Sequence, residues 1–256
     1  MPTDRITSDT AELRRLGGQR VWSLMVSLFG DLLHRDGARM DGPVLSAIMA
    51  ALNVRPEAVR VALHRLRNDG WIVSEKHGRI SRHGLSEGGL RETRAAFPRV
   101  YATPGDGPRD WQLLLLPEAA TDAPPGFTPL GPRIFVGPAE APVPPEALAL
   151  PGGRAPEWLQ REVMPEPLAQ DYETLAQVLT ALEARLPEAL PSRDRAVLRC
   201  LVVHNWRRLV LRHPPLPDRL LAADHPALRC GAVVSQLLAR YPRPTAAEIA
   251  EIRLAA

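Results

Sequence analysis

Residues 59–81 read VRVALHRLRNDGWIVSEKHGRIS and join a helical pattern to a strand pattern. Aliphatic side chains recur at the spacing of one helix face at Val59, Leu63 and Leu66. Basic side chains fall within about 60° of one another on the neighbouring face at Arg60, His64 and Arg67. Gly70 is a typical residue just beyond a helix end. The stretch therefore predicts a helix over 56–69 with one packing face and one cationic face.

The flanking segments predict a winged helix-turn-helix domain around this helix. Apolar periodicity predicts two earlier helices over 19–34 and 43–52. After the basic helix, the period changes to that of strands over 71–76 and 79–85, joined at His77-Gly78. Glycine supplies the positive φ that a tight hairpin turn needs. Three helices followed by a hairpin is the layout of a winged helix-turn-helix domain.

Basic residues of the helix and the hairpin are the candidate DNA contacts. They are Arg60, His64, Arg65, Arg67, Arg79 and Arg82. Arginine on a recognition helix pairs bidentately with guanine in the major groove, and arginine on a wing reaches phosphates or a minor groove. Residues 1–100 hold 16 Lys and Arg against 11 Asp and Glu, and the remainder holds 16 against 18. This asymmetry favours nucleic acid as the partner of the N-terminal part. The alternative is that the arginines form a solvated surface.

The middle of the chain predicts a small α+β domain. A helical connector over 91–101 leads into a region rich in Pro and Gly. Its strands are predicted at 111–116, 133–136 and 146–150, with a surface loop at 138–145 and a short helix at 156–162.

Helical periodicity returns towards the C-terminus. The predicted helices cover 171–186, 194–213, 225–241 and 244–254. The fold class is therefore α+β, with three predicted domains. They are a winged helix-turn-helix domain over 1–92, a central α+β domain over 93–168 and an all-helical domain over 169–256.

Several protein classes are disfavoured by composition. Hydrophobic residues make up 45% and charged residues 24%, as in ordinary globular proteins. No apolar run approaches the roughly 18 residues of a membrane span, and the first residues do not resemble a signal peptide, so we expect a cytoplasmic protein without a membrane partner. Cys200 and Cys230 make neither a disulfide framework nor a zinc site, and we expect both to be reduced.

Enzymatic motifs are missing from the sequence. It has no G-x-S-x-G, H-E-x-x-H or P-loop pattern, and the carboxylates between 106 and 122 form no tight pair. We therefore expect no catalytic residues, metal site or cofactor. The alternatives left open are a Cas2-like nuclease, an acyl-CoA-processing enzyme and a DNA-binding protein that does not respond to a ligand.

Five stretches together resemble the PaaX family of bacterial repressors of phenylacetate catabolism. They are RVWSLMVSLFGD (20–31), the opening stretch (59–81), RVYATPGDGPRDWQLLLLP (99–117), PLGPRIFVGP (129–138) and RCLVVHNWRRLVLRHPPLPDRLLAADHP (199–226). Val61 and Ala62 differ from the family pattern, which usually has a hydroxyl side chain after the arginine. The resemblance implies a homodimeric repressor with a central domain of ferredoxin-like, Cas2-like fold. It also implies release from operator DNA by an aryl-acetyl-CoA thioester, typically phenylacetyl-CoA.

An acyl-CoA effector needs basic groups for its phosphates and an apolar slot for its acyl part. One predicted helix supplies four candidate groups: Arg199, His204, Arg207 and Arg208. The alternative is that these side chains form salt bridges between helices or between subunits.

Overall fold

Helices and two small antiparallel sheets alternate along the chain in the computed structural model, which describes residues 3–18, 20–103 and 105–252. Over these ranges the helices are α1 (Thr3–Asp9), α2 (Ala11–Leu16), α3 (Val21–Leu32), α4 (Gly42–Ala51), α5 (Pro56–Asn68), α6 (Glu87–Val100), α7 (Glu157–Val163), α8 (Glu166–Glu183), α9 (Ser192–Val210), α10 (Pro226–Arg240) and α11 (Ala246–Glu251). The strands are β1 (Met40–Asp41), β2 (Ile72–His77), β3 (Ile80–Leu85), β4 (Trp111–Leu115), β5 (Thr128–Pro129), β6 (Ile134–Pro138) and β7 (Leu148–Pro151). The predicted α+β class is confirmed.

Residues 21–85 form what we call the N-terminal unit, with α3, α4 and α5 followed by the β2–β3 hairpin. The hairpin pairs Ile72 with Leu85 at one end and His77 with Ile80 at the other. Gly78 closes the turn at φ +61°, which is the left-handed conformation expected there. Strand β1 adds to the far side of β3, so the sheet order is β1-β3-β2. The three helices and the hairpin thus lie where the sequence predicts them, although residue 19 lies outside the described residues.

Helix α5 packs through the aliphatic stripe that the sequence predicts. Val59 and Leu66 are buried, and Leu63 is half-buried. Ala62 joins the buried face because it lies one turn before Leu66. The helix contacts α3, α4 and β2, so its other side is left to solvent.

Helix α6 begins earlier than the connector predicted over 91–101. Ser86 caps the helix, with its Oγ accepting a hydrogen bond from the backbone N–H of Gly89 at 2.9 Å. A Cβ at Gly89 would lie 2.2 Å from the carbonyl oxygen of Trp71, so only glycine fits where the helix meets the hairpin. The sequence prediction missed this helix start because Gly88 and Gly89 follow it, and glycine disfavours helix interiors.

Strands β4 to β7 form a four-stranded antiparallel sheet in the order β5-β6-β4-β7. With the strands numbered one to four along the chain, this order is 2-3-1-4, which is the order of a ferredoxin-like sheet. The segments that would hold the two helices of that fold, 116–127 and 139–147, contain turns instead. The predicted segment 111–116 contains β4, while 133–136 and 146–150 overlap β6 and β7, which each extend further along the chain.

The C-terminal helices share their core with the N-terminal unit. Helix α9 contacts α3, α4, α8 and α10, and a single cluster of buried apolar side chains runs from Ile6 to Ile252. A smaller cluster lies on the central sheet around Phe127 and Phe135. Helix α11 is shorter than the helix predicted over 244–254, of which residues 253 and 254 lie outside the described residues. The three-domain division stays a prediction.

The helices α1 and α2 have no counterpart in the sequence prediction. Ile6 of α1 and Leu13 of α2 are both almost fully buried and hold these helices to the rest of the molecule. Each helix has at most seven residues and therefore shows too little periodicity to be recognised. Among the described helices, none combines the length and the apolar character that crossing a membrane would require.

Candidate functional site

Helix α5 presents its basic side chains to solvent. Arg60, His64, Arg65 and Arg67 are all exposed. Arg60 Nη2 lies 2.8 Å from a carboxylate oxygen of Glu57, and Arg65 Nε lies 3.4 Å from one of Asp69. Both are exposed pairs one helical turn apart, and such pairs contribute only about 0.3–0.5 kcal/mol. These arginines can therefore exchange their partners for another anion at small cost.

The exposed part of the same helix also carries one large apolar side chain. Val61 is 70% exposed and lies next to Arg60 in the chain. The guanidinium of Arg65 lies 5.3 Å from the ring centroid of Trp22 on α3, within cation–π distance. The exposed surface of α5 thus carries cationic and apolar side chains, which can pair with guanine and contact a thymine methyl group in a major groove.

The hairpin places its two candidate arginines differently. Arg79 is exposed beside the turn, and the described part of the chain shows no ion pair for it. Arg82 is half-buried, and its Nε donates to Asp41 Oδ1 at 3.0 Å. Arg82 thus anchors β3 to the start of α4, while Arg79 extends from the tip of the hairpin. DNA contact by either arginine stays a prediction.

His83 lies beneath the hairpin, on the side near α5. It is buried, and its Nδ1 lies 2.8 Å from Ser74 Oγ. Burial lowers the pKa of His83, and the charge of Arg67 lowers it further. The proximity of these two residues places the end of α5 beside the hairpin.

On α9, Arg199 is buried and paired with a carboxylate of α3. Its Nε and Nη2 each lie 2.8 Å from an oxygen of Asp31, and the two side chains are 3% and 1% exposed. Tyr101 donates its hydroxyl to Asp31 at 2.8 Å, and Arg243 donates its Nε at 2.9 Å. Burial alone would raise the pKa of Asp31, but the hydrogen bonds and charges of Arg199 and then Arg243 outweigh it and hold this pKa below its ordinary value.

The other predicted effector residues also face the N-terminal part of the molecule. His204 is buried, with Nδ1 3.2 Å from Ser27 Oγ, and burial lowers its pKa to about 4, helped by the charges of Arg207 and Arg208. Arg207 Nη2 donates to Ser23 Oγ at 3.4 Å. Arg208 is exposed and donates to the carbonyl oxygen of Leu16 at 3.3 Å.

The four predicted effector residues do not line one common cavity. Arg199 borders a cavity of about 590 Å³ beside α10 and α11, whereas Arg207 borders one of about 180 Å³ beneath α6. A third cavity, of about 730 Å³, lies between α6, α9 and α10 and is lined by aromatic side chains, among them Phe97, Tyr172 and Trp206. Effector binding by the four residues stays a prediction.

Sequence reasoning missed the partners of Arg199. The sequence could have indicated Asp31 as a partner of a buried cation. It is the one charged residue of α3, and a carboxylate on an apolar helix needs a cation beside it. Tyr101 and Arg243 carried no such signal, since both follow helix ends in unremarkable sequence.

Comparisons with known proteins agree with the resemblance that the sequence shows. Residues 20–89 match the model of the PaaX-like protein family, and residues 165–251 match that of the PaaX-like protein C-terminal domain. The chain is 30% identical over 234 residues to the transcriptional repressor PaaX of Escherichia coli, covering 78% of this chain and 74% of that protein.

A solved structure supports the overall fold alone. An uncharacterized protein of Mycobacterium tuberculosis is similar with a TM-score of 0.52 at 20% sequence identity, covering 86% of this chain and 96% of that one. The two family matches and the Escherichia coli relative decide the classification: this chain belongs to the PaaX family.

Proposed function

We propose that this chain is a DNA-binding transcriptional repressor whose N-terminal unit is a winged helix-turn-helix domain. Helix α5 is the recognition helix, and its candidate contacts are Arg60, His64, Arg65 and Arg67. The observation that carries the proposal is that all four are exposed on a helix whose opposite face is anchored by Val59 and Leu66. A major groove about 12 Å wide accepts such a helix, and arginine pairs there with guanine.

The hairpin completes the proposed interface. Arg79 at its tip contacts the phosphate backbone or a minor groove, and Arg82 supports the contact from its ion pair with Asp41. The name of the Escherichia coli relative, a transcriptional repressor, supports the same role. We assign no enzymatic activity to the chain and place its work in the cytoplasm, on operator DNA, as a homodimer.

The proposed effector is an aryl-acetyl-CoA such as phenylacetyl-CoA, and the genes controlled are those of phenylacetate catabolism. The aromatic cavity of about 730 Å³ supports this part, because its volume and lining suit an aryl group. Arg207 and Arg208 remain candidate contacts of the effector, whereas Arg199 and His204 hold α9 against α3. The ferredoxin-like strand order supports a Cas2-like origin of the central sheet.

The test is a DNA-binding titration with and without the thioester. The operator is first selected by the purified protein from random duplexes, and affinity is then measured by fluorescence anisotropy at fixed salt. We expect binding in the nanomolar range, tighter by at least about 10³-fold than to unrelated duplex, and release on adding phenylacetyl-CoA. Retention of DNA at saturating thioester would indicate a ligand-independent DNA binder. Equal affinity for operator and unrelated duplex would contradict sequence reading by α5.

A further inference from the structure

The cavity of about 590 Å³ beside Arg199 has a cationic lining. Its walls come from the end of α3 and the segment that follows it, from the residues after α6, and from α10 and α11. The basic side chains that line it are His34, Arg35, Arg39, Arg199 and Arg243. None of the described residues that line the cavity is acidic. Apolar side chains such as Leu238 and Ile249 make up most of the remaining wall.

Not all of these guanidinium groups are available to a ligand. Arg199 is committed, because it pairs with Asp31 and also donates Nη1 to the carbonyl oxygens of Leu238 at 3.0 Å and Tyr241 at 2.8 Å. Arg39 is half-buried and lies 3.7 Å from a carboxylate oxygen of Glu75, a loose contact.

Two arginines retain unused hydrogen-bonding capacity. Arg35 is exposed, and no ion pair of its side chain occurs within the described ranges. Arg243 gives its Nε to Asp31, while its buried Nη2 has no hydrogen-bond partner among the described residues. Its guanidinium lies 4.4 Å from the ring centroid of Tyr101, which fixes the orientation of the group.

Phosphate is the anion that such a cavity suits. Arginine presents donors in a planar fork that matches phosphate oxygens, and hydrogen bonds between charged groups are the stronger ones. Three guanidinium groups without a lining carboxylate match a ligand that carries several negative charges. The hydroxyl groups of Ser235 and Thr245 border the same space.

We propose that this cavity binds the phosphate groups of the acyl-CoA effector, through Arg35, Arg39 and Arg243. The inference rests on the proposed function, since it gives the effector's charged part a place. Residues 101–103 border both this cavity and the aromatic cavity of about 730 Å³. The two cavities thus lie on either side of one short segment, and the aromatic one suits the acyl group.

The cavity lies next to the segment that leads into the sheet of the proposed DNA-binding unit. Arg35 and Arg39 lie in the segment between α3 and β1, and β1 pairs with β3 of the hairpin. Arg243 lies in the C-terminal part, between α10 and α11. A polyanion bound by Arg35, Arg39 and Arg243 fixes the hairpin relative to the C-terminal helices. Such a ligand shifts the protein towards this arrangement only if it binds it more tightly than other arrangements.

Two variants and one matched control test the site. Arg35→Glu reverses a charge of the lining, and Ala239→Glu adds a carboxylate from an exposed position of α10 that borders the cavity. Arg185→Glu is the control, because Arg185 is also exposed and shows no ion pair in the described part of the chain. Calorimetry on the full chain without DNA measures the Kd of phenylacetyl-CoA, coenzyme A and pyrophosphate.

We expect both cavity variants to raise the Kd of phenylacetyl-CoA and of coenzyme A by at least about tenfold, because Arg35→Glu loses a charge-assisted contact and Ala239→Glu adds a carboxylate that repels the phosphates. The control keeps the wild-type values. Binding of coenzyme A but not of pyrophosphate identifies the nucleotide part as the recognised source of phosphate. Unchanged affinity of phenylacetyl-CoA and of coenzyme A for both cavity variants would overturn the inference, as would a wild-type chain that binds none of the three probes.

The outcome separates this inference from the proposed function. If coenzyme A binds through Arg35 while phenylacetyl-CoA fails to release the operator, the phosphate site stands and the effector role fails. If the thioester releases the operator from wild type and from both cavity variants at the same concentration, the repressor stands and the site lies elsewhere.

Discussion

Helices α5 and α9 both carry several arginines, but the two sets have opposite surroundings. On α5 the arginines are exposed, and two of them pair with a carboxylate one turn away, Arg60 with Glu57 and Arg65 with Asp69 at the helix end. On α9 Arg199 is buried and pairs with Asp31 of α3, 168 residues away in the chain. Exposed pairs contribute little to stability, whereas a buried charge without its partner is expensive. The comparison teaches that arginine content alone does not identify a ligand-binding helix, because the partner decides the role.

The largest expected effect is on stability, from the buried pair. Asp31→Asn leaves Arg199 without a countercharge, so we expect the free energy of unfolding to fall by about 3–5 kcal/mol. Asp69→Asn is the matched control, because it removes the acid of an exposed pair on α5, and should cost at most about 0.5 kcal/mol. Guanidinium unfolding curves measure both. Similar losses in the two variants would break the distinction between the helices.

The second effect is a pH dependence from His204. Burial lowers its pKa to about 4, so between that value and about 6.5 the unfolded chain binds a proton that the folded chain does not. Its contribution is therefore complete above about pH 6.5 and decreases as the pH falls, by about 1 kcal/mol per unit. Unfolding curves at several pH values should show a shallower slope for His204→Gln than for wild type. Equal slopes for His204→Gln and wild type would contradict this assignment.

The third effect concerns DNA binding by α5. If Arg67 contacts a base, Arg67→Ala weakens operator binding by about 1–3 kcal/mol and leaves unfolding unchanged. Arg161→Ala is the control. Arg161 is 63% exposed on α7, outside the N-terminal unit, and pairs with Glu157 one turn away. Anisotropy titrations with operator duplex measure the difference. Wild-type affinity of both Arg67→Ala and Arg60→Ala would remove α5 as the recognition helix.

The smallest effect, on the salt dependence of DNA binding, tells whether Arg79 contacts a DNA phosphate or a base. Arg79→Ala should lower the slope of log affinity against log salt by about one, because one phosphate contact is lost. The loss of affinity should be the same for operator and for unrelated duplex, since phosphate carries no sequence information. A loss confined to the operator would instead assign Arg79 to a base edge.

Local sequence pattern was sufficient to predict the helices and the hairpin of the N-terminal unit. The helices α3 and α5 follow from apolar spacing, and the turn at Gly78 follows from the need for a positive φ. The start of α6 was missed because Gly88 and Gly89 resemble a turn, and the reason for glycine there is a contact with Trp71 that only the fold reveals.

The candidate site was predictable on one helix and not on the other. The exposure of the α5 arginines follows from the amphipathic pattern of that helix alone. The surroundings of Arg199 depend on residues distant in sequence, since Arg243 reaches Asp31 across 212 positions. Helix α9 is buried at most of its positions, so its own pattern does not tell that Arg199 faces a carboxylate of α3 rather than solvent.

The contact between α9 and α3 has a consequence for how the protein is made. Ribosomes deliver the N-terminal unit first, and at that stage Asp31 lacks Arg199 and the side of α3 that packs against α9 is uncovered. Their partners, Arg199 and the buried side chains of α9, emerge only when most of the chain has been translated. Completion of the N-terminal unit is thereby linked to completion of synthesis. A prematurely terminated chain that lacks α9 therefore leaves Asp31 without Arg199.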